Sequence, residues 1–196
     1  MSRFIESICF DEKEYKLLDI HQERINQTFR EFYPLTIPFD ISSQLPKLDF
    51  SERHKVRVVY SNESVDIEVV KYTPQEIKSL KLIETASIDY KYKYEDRKLL
   101  KKLYSLKGDA DDIIIVKEGW ITDSSYANLA LWDGSKWFTP RTHLLNGVKR
   151  QFYLRYGLIS EKNIPAANIH DFEKISLINA MLDLGDLEVD LVNVEF

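Results

Sequence analysis

Apolar and polar positions alternate at the start of the chain, where RFIESICF (3–10) and EYKLL (14–18) flank the polar turn Asp11-Glu12-Lys13 and predict a β-hairpin. The period then lengthens. Ile25, Phe29 and Phe32 recur at helical spacing behind Asp19, which stands three residues before Gln22 in the manner of a capping box, and Pro34 ends the predicted helix. Residues 34–50 hold three of the six prolines and predict an irregular crossing segment. KVRVVY (55–60) and VDIEVV (65–70), separated by Ser61-Asn62-Glu63-Ser64, predict a second hairpin.

Further along, Thr73-Pro74-Gln75-Glu76 combines a capping residue, a proline at the first helical position and a glutamate three residues after the cap, and so predicts a short helix. LIETASIDYKYKY (82–94) reads as extended, and residues 95–105 carry the Leu99, Leu100, Leu103 stripe of an amphipathic helix. DDIIIVK (111–117) and ANLALWD (127–133) predict strands, and Asp133-Gly134 predicts a turn into KWFTP. Residues 147–156 suit a helix that Gly157 stops, and the late apolar run ISLINAML suits a buried element. This order predicts a mixed α/β (α+β) chain of two small units, 1–84 and 85–196.

Composition narrows the classes. With 196 residues, 44% of them hydrophobic, a real core can form, and the net charge of −5 argues against a nucleic-acid partner. The single cysteine, Cys9, excludes an internal disulfide framework, makes a cysteine-based zinc site improbable and is expected to be buried. The opening MSRFIESICF lacks the apolar run of a signal peptide, and no stretch reaches membrane-spanning length, so a soluble cytoplasmic protein is expected.

One neighbourhood stands out for chemistry. Tyr90, Tyr92 and Tyr94 alternate with Lys91 and Lys93, so an extended segment would put the lysines on one face and the tyrosines on the other. A lysine enclosed there would lose its proton more readily, as imine chemistry requires. Spacing alone favours the plainer reading, a solvated strand face.

The run EGWITDSSYANLALWDGSKWFTPRTHLLNGVKR (118–150) resembles the signature of class-IV aminotransferases and aminodeoxychorismate lyases, through Gly119, Thr122, Asp123, Asn128, Leu129, Thr139, Pro140, Leu145, Gly147 and Arg150. LDIHQERIN (18–26) is similar to the family's His-x-x-Arg helix, YKYEDR (92–97) to the segment with its cofactor lysine, and LINAM (177–181) to the late Asn-Ala motif of its lyase branch. The resemblance implies a fold-type IV enzyme of two small α/β domains with pyridoxal 5'-phosphate (PLP) at their interface. It implies that Lys93 forms the imine, that Arg24 and the Gly147-Val148-Lys149 turn meet the cofactor phosphate, that Asn179 and Ala180 also bind the cofactor, and that Asp123 faces the pyridine nitrogen. Three departures accompany it. Aspartate replaces the usual glutamate at 123, Lys149 replaces a threonine or serine, and the usual opening strand is missing.

The short length and the Leu-Ile-Asn-Ala-Met ending lean toward the lyase branch, which releases p-aminobenzoate and pyruvate from 4-amino-4-deoxychorismate for folate synthesis. Ser7, in Glu6-Ser7, occupies the site where that branch uses a threonine hydroxyl for proton transfer. The alternatives are an aminotransferase of branched-chain or D-amino acids and a non-catalytic PLP-binding relative. The family implies a homodimer, for which aromatics in FREFY and KWF could supply an interface; their commoner use is to fill cores.

Overall fold

The computed structural model describes residues 2–196, and the chain divides into two units. The first takes the chain up to Thr73 together with Tyr92–Asp96; the second takes Pro74–Lys91 and Arg97–Phe196.

In the first unit, strands β1 (Phe4–Asp11), β2 (Glu14–Tyr15), β3 (His54–Tyr60) and β4 (Val65–Lys71) form an antiparallel sheet in the order β2-β1-β3-β4. Both expected hairpins are there. The first turns tightly, Asp11 pairing with Glu14 across Glu12 and Lys13, both at positive φ. Helix α1 (Leu18–Phe32) follows at once, but its N-cap is Leu17 at φ 57° with no side-chain cap, so the expected capping box at Asp19 does not form. The hairpin ends at Tyr15, and the chain reverses within two residues, which starts the helix before Asp19 can cap it. Asp19 lies in the first turn instead, where its charge suits the helix dipole.

Alternation along β1 sends Phe4, Ile8 and Phe10 into a core with Ile25 and Phe29 of α1. Each side chain of that size, once buried, contributes about 1.5–3 kcal/mol. The aromatics of FREFY are used here: Phe29 stacks on Tyr60, and Phe32 and Tyr33 pack around Phe4. Residues 34–50 are irregular apart from one short helix, α2 (Ile41–Gln44).

The unit is completed from far along the chain. The Ile5 amide donates to the Lys93 carbonyl at 2.9 Å, the Glu95 amide donates to the Arg3 carbonyl at 2.9 Å, and Phe4 faces Tyr94 in an antiparallel bridge. Those pairings place Lys93 with the N-terminal unit, not with the C-terminal one as the 1–84 and 85–196 division expected. Residues 74–84 move the other way, because β5 (Leu80–Thr85) pairs in parallel with β6 (Asp112–Lys117) and β13 (Val194–Glu195).

The second unit adds β7 (Trp120–Ser124), β8 (Asn128–Trp132), β9 (Trp137–Pro140), β10 (Ser160–Lys162), β11 (Lys174–Ile178) and β12 (Glu188–Asp190). The sheet runs β10-β9-β8-β7-β6-β5-β13, with β11 pairing β8 and β12. Ile114, Val116, Leu129, Leu131, Ile175 and Leu177 form much of its core. Helices α3 (Lys98–Tyr104) and α4 (Val148–Arg155) lie close to their expected positions, though Leu99 is 44% exposed and only Leu100 and Leu103 of the α3 stripe are buried.

The helix expected from Thr73 is absent. Asp111 accepts hydrogen bonds from the Lys78 and Ser79 amides at 2.8 and 3.1 Å, so the segment is drawn out toward β5. Strand β7 went unread, being entered through a two-residue turn, Glu118-Gly119, at φ 52° and 79°. Cys9 is buried. Among the described residues no helix is long and apolar enough to cross a membrane, and no group of three metal-ligating side chains gathers.

Candidate active site

In the first unit, α1 presents His21 and Arg24 on its buried face, three residues apart and so nearly one above the other. Both meet Glu6, which alternation turns toward the same side as Phe4 and Ile8. Arg24 donates from Nε to Glu6 Oε1 at 2.8 Å and from Nη2 to Glu6 Oε2, a two-pronged pair. His21 Nδ1 lies 2.6 Å from Glu6 Oε2. Burial pushes the Glu6 carboxyl up, but the charge of Arg24 and the hydrogen bonds from His21 and Arg24 outweigh it, and the carboxyl falls to about 2. Burial lowers His21, against the pull of Glu6, and the charges of Arg24 and Lys93 act in the same direction as burial. His21 is therefore a neutral ring. Its Nδ1–H donates to an ionised carboxylate, which can only accept. Sequence reading passed over Glu6 and His21 as chemical groups.

Lys93 is partly buried, whereas Lys91 is exposed. The pairing of Ile5 with Lys93 and of Phe4 with Tyr94 fixes the faces: Tyr92 and Tyr94 pack on Phe4 and Phe32, while Ile5 and, two residues on, Ser7 share the face of Lys93. Sequence spacing anticipated this separation of lysine from tyrosines. The first unit thus places Lys93 and the partly buried Ser7 on one face of β1, and the charge-paired Arg24 beside Glu6 on the other.

The second unit gathers the rest. Asp123 on β7 is opposite Asn128 on β8. Its Oδ2 accepts from the Leu144 and Leu145 amides at 3.0 and 2.9 Å, and its Oδ1 accepts from Asn128 Nδ2 at 2.8 Å. Burial pushes Asp123 up to about 6, with those N–H groups and Arg150 pulling the other way. Gly147 caps α4, and a Cβ there would stand 2.1 Å from Asn128 Oδ1, so only glycine fits. The first amides of a helix, here those of Val148 and Lys149, lack intrahelical partners and suit an anion.

The Lys149 side chain points elsewhere. Its Nζ meets Asp183 Oδ1 at 2.6 Å, and the same oxygen accepts from the Tyr153 hydroxyl at 2.8 Å. Asn179 lies in the turn after β11, one residue beyond Ile178, which pairs with Asn128; its Oδ1 accepts from the Met181 amide at 2.8 Å. Ala180 is partly buried beside it. Asp123, the Gly147 turn and the 179–183 turn are thereby tied together through Asn128 and Lys149.

This donor set fits a phosphorylated pyridine aldehyde. Asp123 has three of its roughly four acceptor positions filled, leaving one for a ring N–H. The Gly147 amide is taken by the Leu145 carbonyl, which leaves the Val148 and Lys149 amides at the start of α4 for an anion.

A family model described as amino-transferase class IV matches residues 3–186. An uncharacterized protein of Haemophilus influenzae is 32% identical over 185 residues, covering 92% of this chain and 98% of that one. The crystal structure of a candidate 4-amino-4-deoxychorismate lyase from Haemophilus somnus 129PT superposes with a TM-score of 0.89 at 28% identity, over 94% of this chain and 98% of that chain. A hypothetical aminotransferase from Mycobacterium tuberculosis in its PLP-bound form shares the fold, with a TM-score of 0.70 at 13% identity over 98% and 81% of the two chains.

Proposed function

Because this chain belongs to the amino-transferase class IV family, whose enzymes work with PLP, we propose that it is a PLP-dependent lyase that converts 4-amino-4-deoxychorismate to p-aminobenzoate and pyruvate. The observation that carries this reading is the Ile5–Lys93 pairing, which gives Ser7 and Lys93 a common face of β1 and the segment beside it. The likeness to the Haemophilus somnus protein supports it.

When bound, PLP would supply an electron-withdrawing ring for the substrate's amine-bearing carbon. The protein's own groups supply the rest. Lys93, partly buried, would provide the amine. Arg24, held by Glu6, would provide a fixed guanidinium for the phosphate, and in the second unit the amides of Val148 and Lys149 and the Asn179-Ala180 turn would be further cofactor-binding groups. Asp123, ionised above pH 6, would hold a proton on the ring nitrogen and so keep the ring electron-poor. Lys93 would take the ring proton beside the amino group, the ring C–O bond to the carboxyvinyl group would break as the ring becomes aromatic, and the Ser7 hydroxyl would pass that proton to the methylene carbon of the departing group to give pyruvate.

A second reading is amino transfer, supported by the fold shared with the Mycobacterium tuberculosis aminotransferase. One assay separates the two. With PLP and enzymatically prepared aminodeoxychorismate, p-aminobenzoate and pyruvate should appear in equal amounts. Amino transfer to a 2-oxo acid without them would replace the lyase reading. Loss of both activities, with the cofactor still bound, would leave a PLP-binding relative. The protein is further proposed to work as a cytoplasmic homodimer; a fully active 23 kDa species in sedimentation equilibrium would remove the dimer as a requirement.

A further inference from the structure

We propose that Asn128 is a positioning residue for the reaction: its amide fastens the Asp123 carboxylate to the turn that opens α4 and keeps that carboxylate charged. The inference rests on the reading that Asp123 serves the cofactor's ring nitrogen.

A single side-chain nitrogen makes two connections. Asn128 Nδ2 donates to Asp123 Oδ1 and to the Leu145 carbonyl, both at 2.8 Å, which uses both of its hydrogens. The Leu145 carbonyl also accepts from the Gly147 amide at 2.9 Å, and the Leu145 amide returns to Asp123 Oδ2 at 2.9 Å. The circuit is closed: acid to amide, amide to turn, turn to acid. It starts from a cross-strand pair, since Asp123 and Asn128 are opposite each other on β7 and β8. The far side of the amide is fixed too, because Asn128 Oδ1 lies where a side chain on Gly147 would be.

Other residue types fail this test. Serine has one hydroxyl proton and cannot serve both acceptors. Aspartate would set a second negative charge against the first. Glutamine would drive its extra methylene into the Gly147 turn. Asparagine alone has the length, the two donors and the neutrality.

The electrical consequence follows from the surroundings of Asp123. Strand β8 supplies Asn128, the loop 141–146 supplies the Leu144 and Leu145 amides, and α4 supplies the charge of Arg150. Arg150 is itself held by Asn146, the Pro140 carbonyl and Glu161. Burial already lifts the carboxyl to about 6, so losing one N–H donor would carry it toward neutrality. A protonated Asp123 is a poor acceptor for a ring N–H.

The test uses the full-length protein without cofactor. The Asp123 carboxyl is followed by carbon-13 NMR against pH and identified by its absence in Asp123→Asn. In Asn128→Ala and Asn128→Ser it should titrate about one pH unit higher, the equivalent of one charge-assisted hydrogen bond. Gly147→Ala, which displaces the same amide while leaving residues 123 and 128 unchanged, should move it the same way. A folded Asn128 or Gly147 variant whose Asp123 titrates as in the wild type overturns the proposal. Nitrogen-15 spectra of labelled PLP then test the underlying reading separately. If the carboxyl moves while the bound ring nitrogen keeps its proton at neutral pH, Asn128 still tunes Asp123, and the ring-nitrogen role of Asp123 fails.

Discussion

Glu6 and Arg24 face each other inside the first unit through two hydrogen bonds, with His21 supplying a third contact to the same carboxylate. A guanidinium buried this way has its direction set before any ligand arrives. Removing one partner of such a pair leaves an uncompensated charge in the core, at a cost of about 3–5 kcal/mol. Glu6→Ala should therefore lower the unfolding free energy of the cofactor-free protein by about that much, measured by urea denaturation. Loss of less than about 1 kcal/mol would mean that the pair behaves as an exposed one.

Arg24→Ala should destabilise the fold by leaving the buried Glu6 carboxylate without its guanidinium, and should in addition weaken cofactor binding. Loss of a charge-assisted phosphate contact costs about 1.5–3 kcal/mol, which is roughly ten- to a hundredfold in dissociation constant. Titration with PLP and with pyridoxal, which lacks the phosphate, separates the causes. Only PLP should weaken; equal weakening of both would indicate a structural defect.

Lys93→Ala should abolish the visible absorbance of lysine-bound PLP and its borohydride-stable attachment to the chain, whereas the exposed Lys91 can be replaced without either effect. Peptide mapping after borohydride reduction reads this directly, and label on residue 91 would reverse the assignment.

The Asp123 titration carries a stability consequence with a definite sign. Its carboxyl rises from 3.8 to about 6 on folding, so its contribution is present below pH 4 and is lost as pH rises through 6. That difference corresponds to on the order of 3 kcal/mol. The stability of the cofactor-free wild type relative to Asp123→Ala should fall by that order between pH 4 and 7. A flat difference across that window would show that the carboxyl is not strained by burial.

His21 runs the opposite way. Its folded value lies below the ordinary 6.5, so the neutral ring stabilises the fold above 6.5 and that stabilisation is lost as pH falls below it. His21→Asn, which keeps a donor for Glu6 but does not titrate in this range, should flatten the acid side of the melting-temperature profile. An unchanged slope would place the acid sensitivity elsewhere.

Local signals carried much of this architecture. The two hairpins, α1 and α4 follow from period and turn chemistry, because each is decided within a few residues. The helix at Thr73 had every local signal and did not form, since Asp111, more than thirty residues away, takes its neighbours' amides. Glu6 was hidden for a related reason. A glutamate in an alternating strand looks like a solvent-facing position, and only its place in the Phe4, Ile8, Phe10 series marks it as inward. Family resemblance singled out Lys93, Arg24 and Asp123 and also covered His21 and Asn128 as motif positions; that Glu6 joins Arg24 to His21, and that Asn128 joins Asp123 to the Leu145 carbonyl, became visible only as contacts.

The return of Tyr92–Asp96 to the first unit has a consequence for how the chain is made. A ribosome that has released residues up to 90 has delivered all four strands of the first sheet and the helix that carries Arg24, but not the lysine. The edge of β1 at Arg3 and Ile5 must wait for that later segment, and β5 waits longer still, since its β13 neighbour is Val194–Glu195. Lys93 thus arrives after Arg24 and before most of the second sheet.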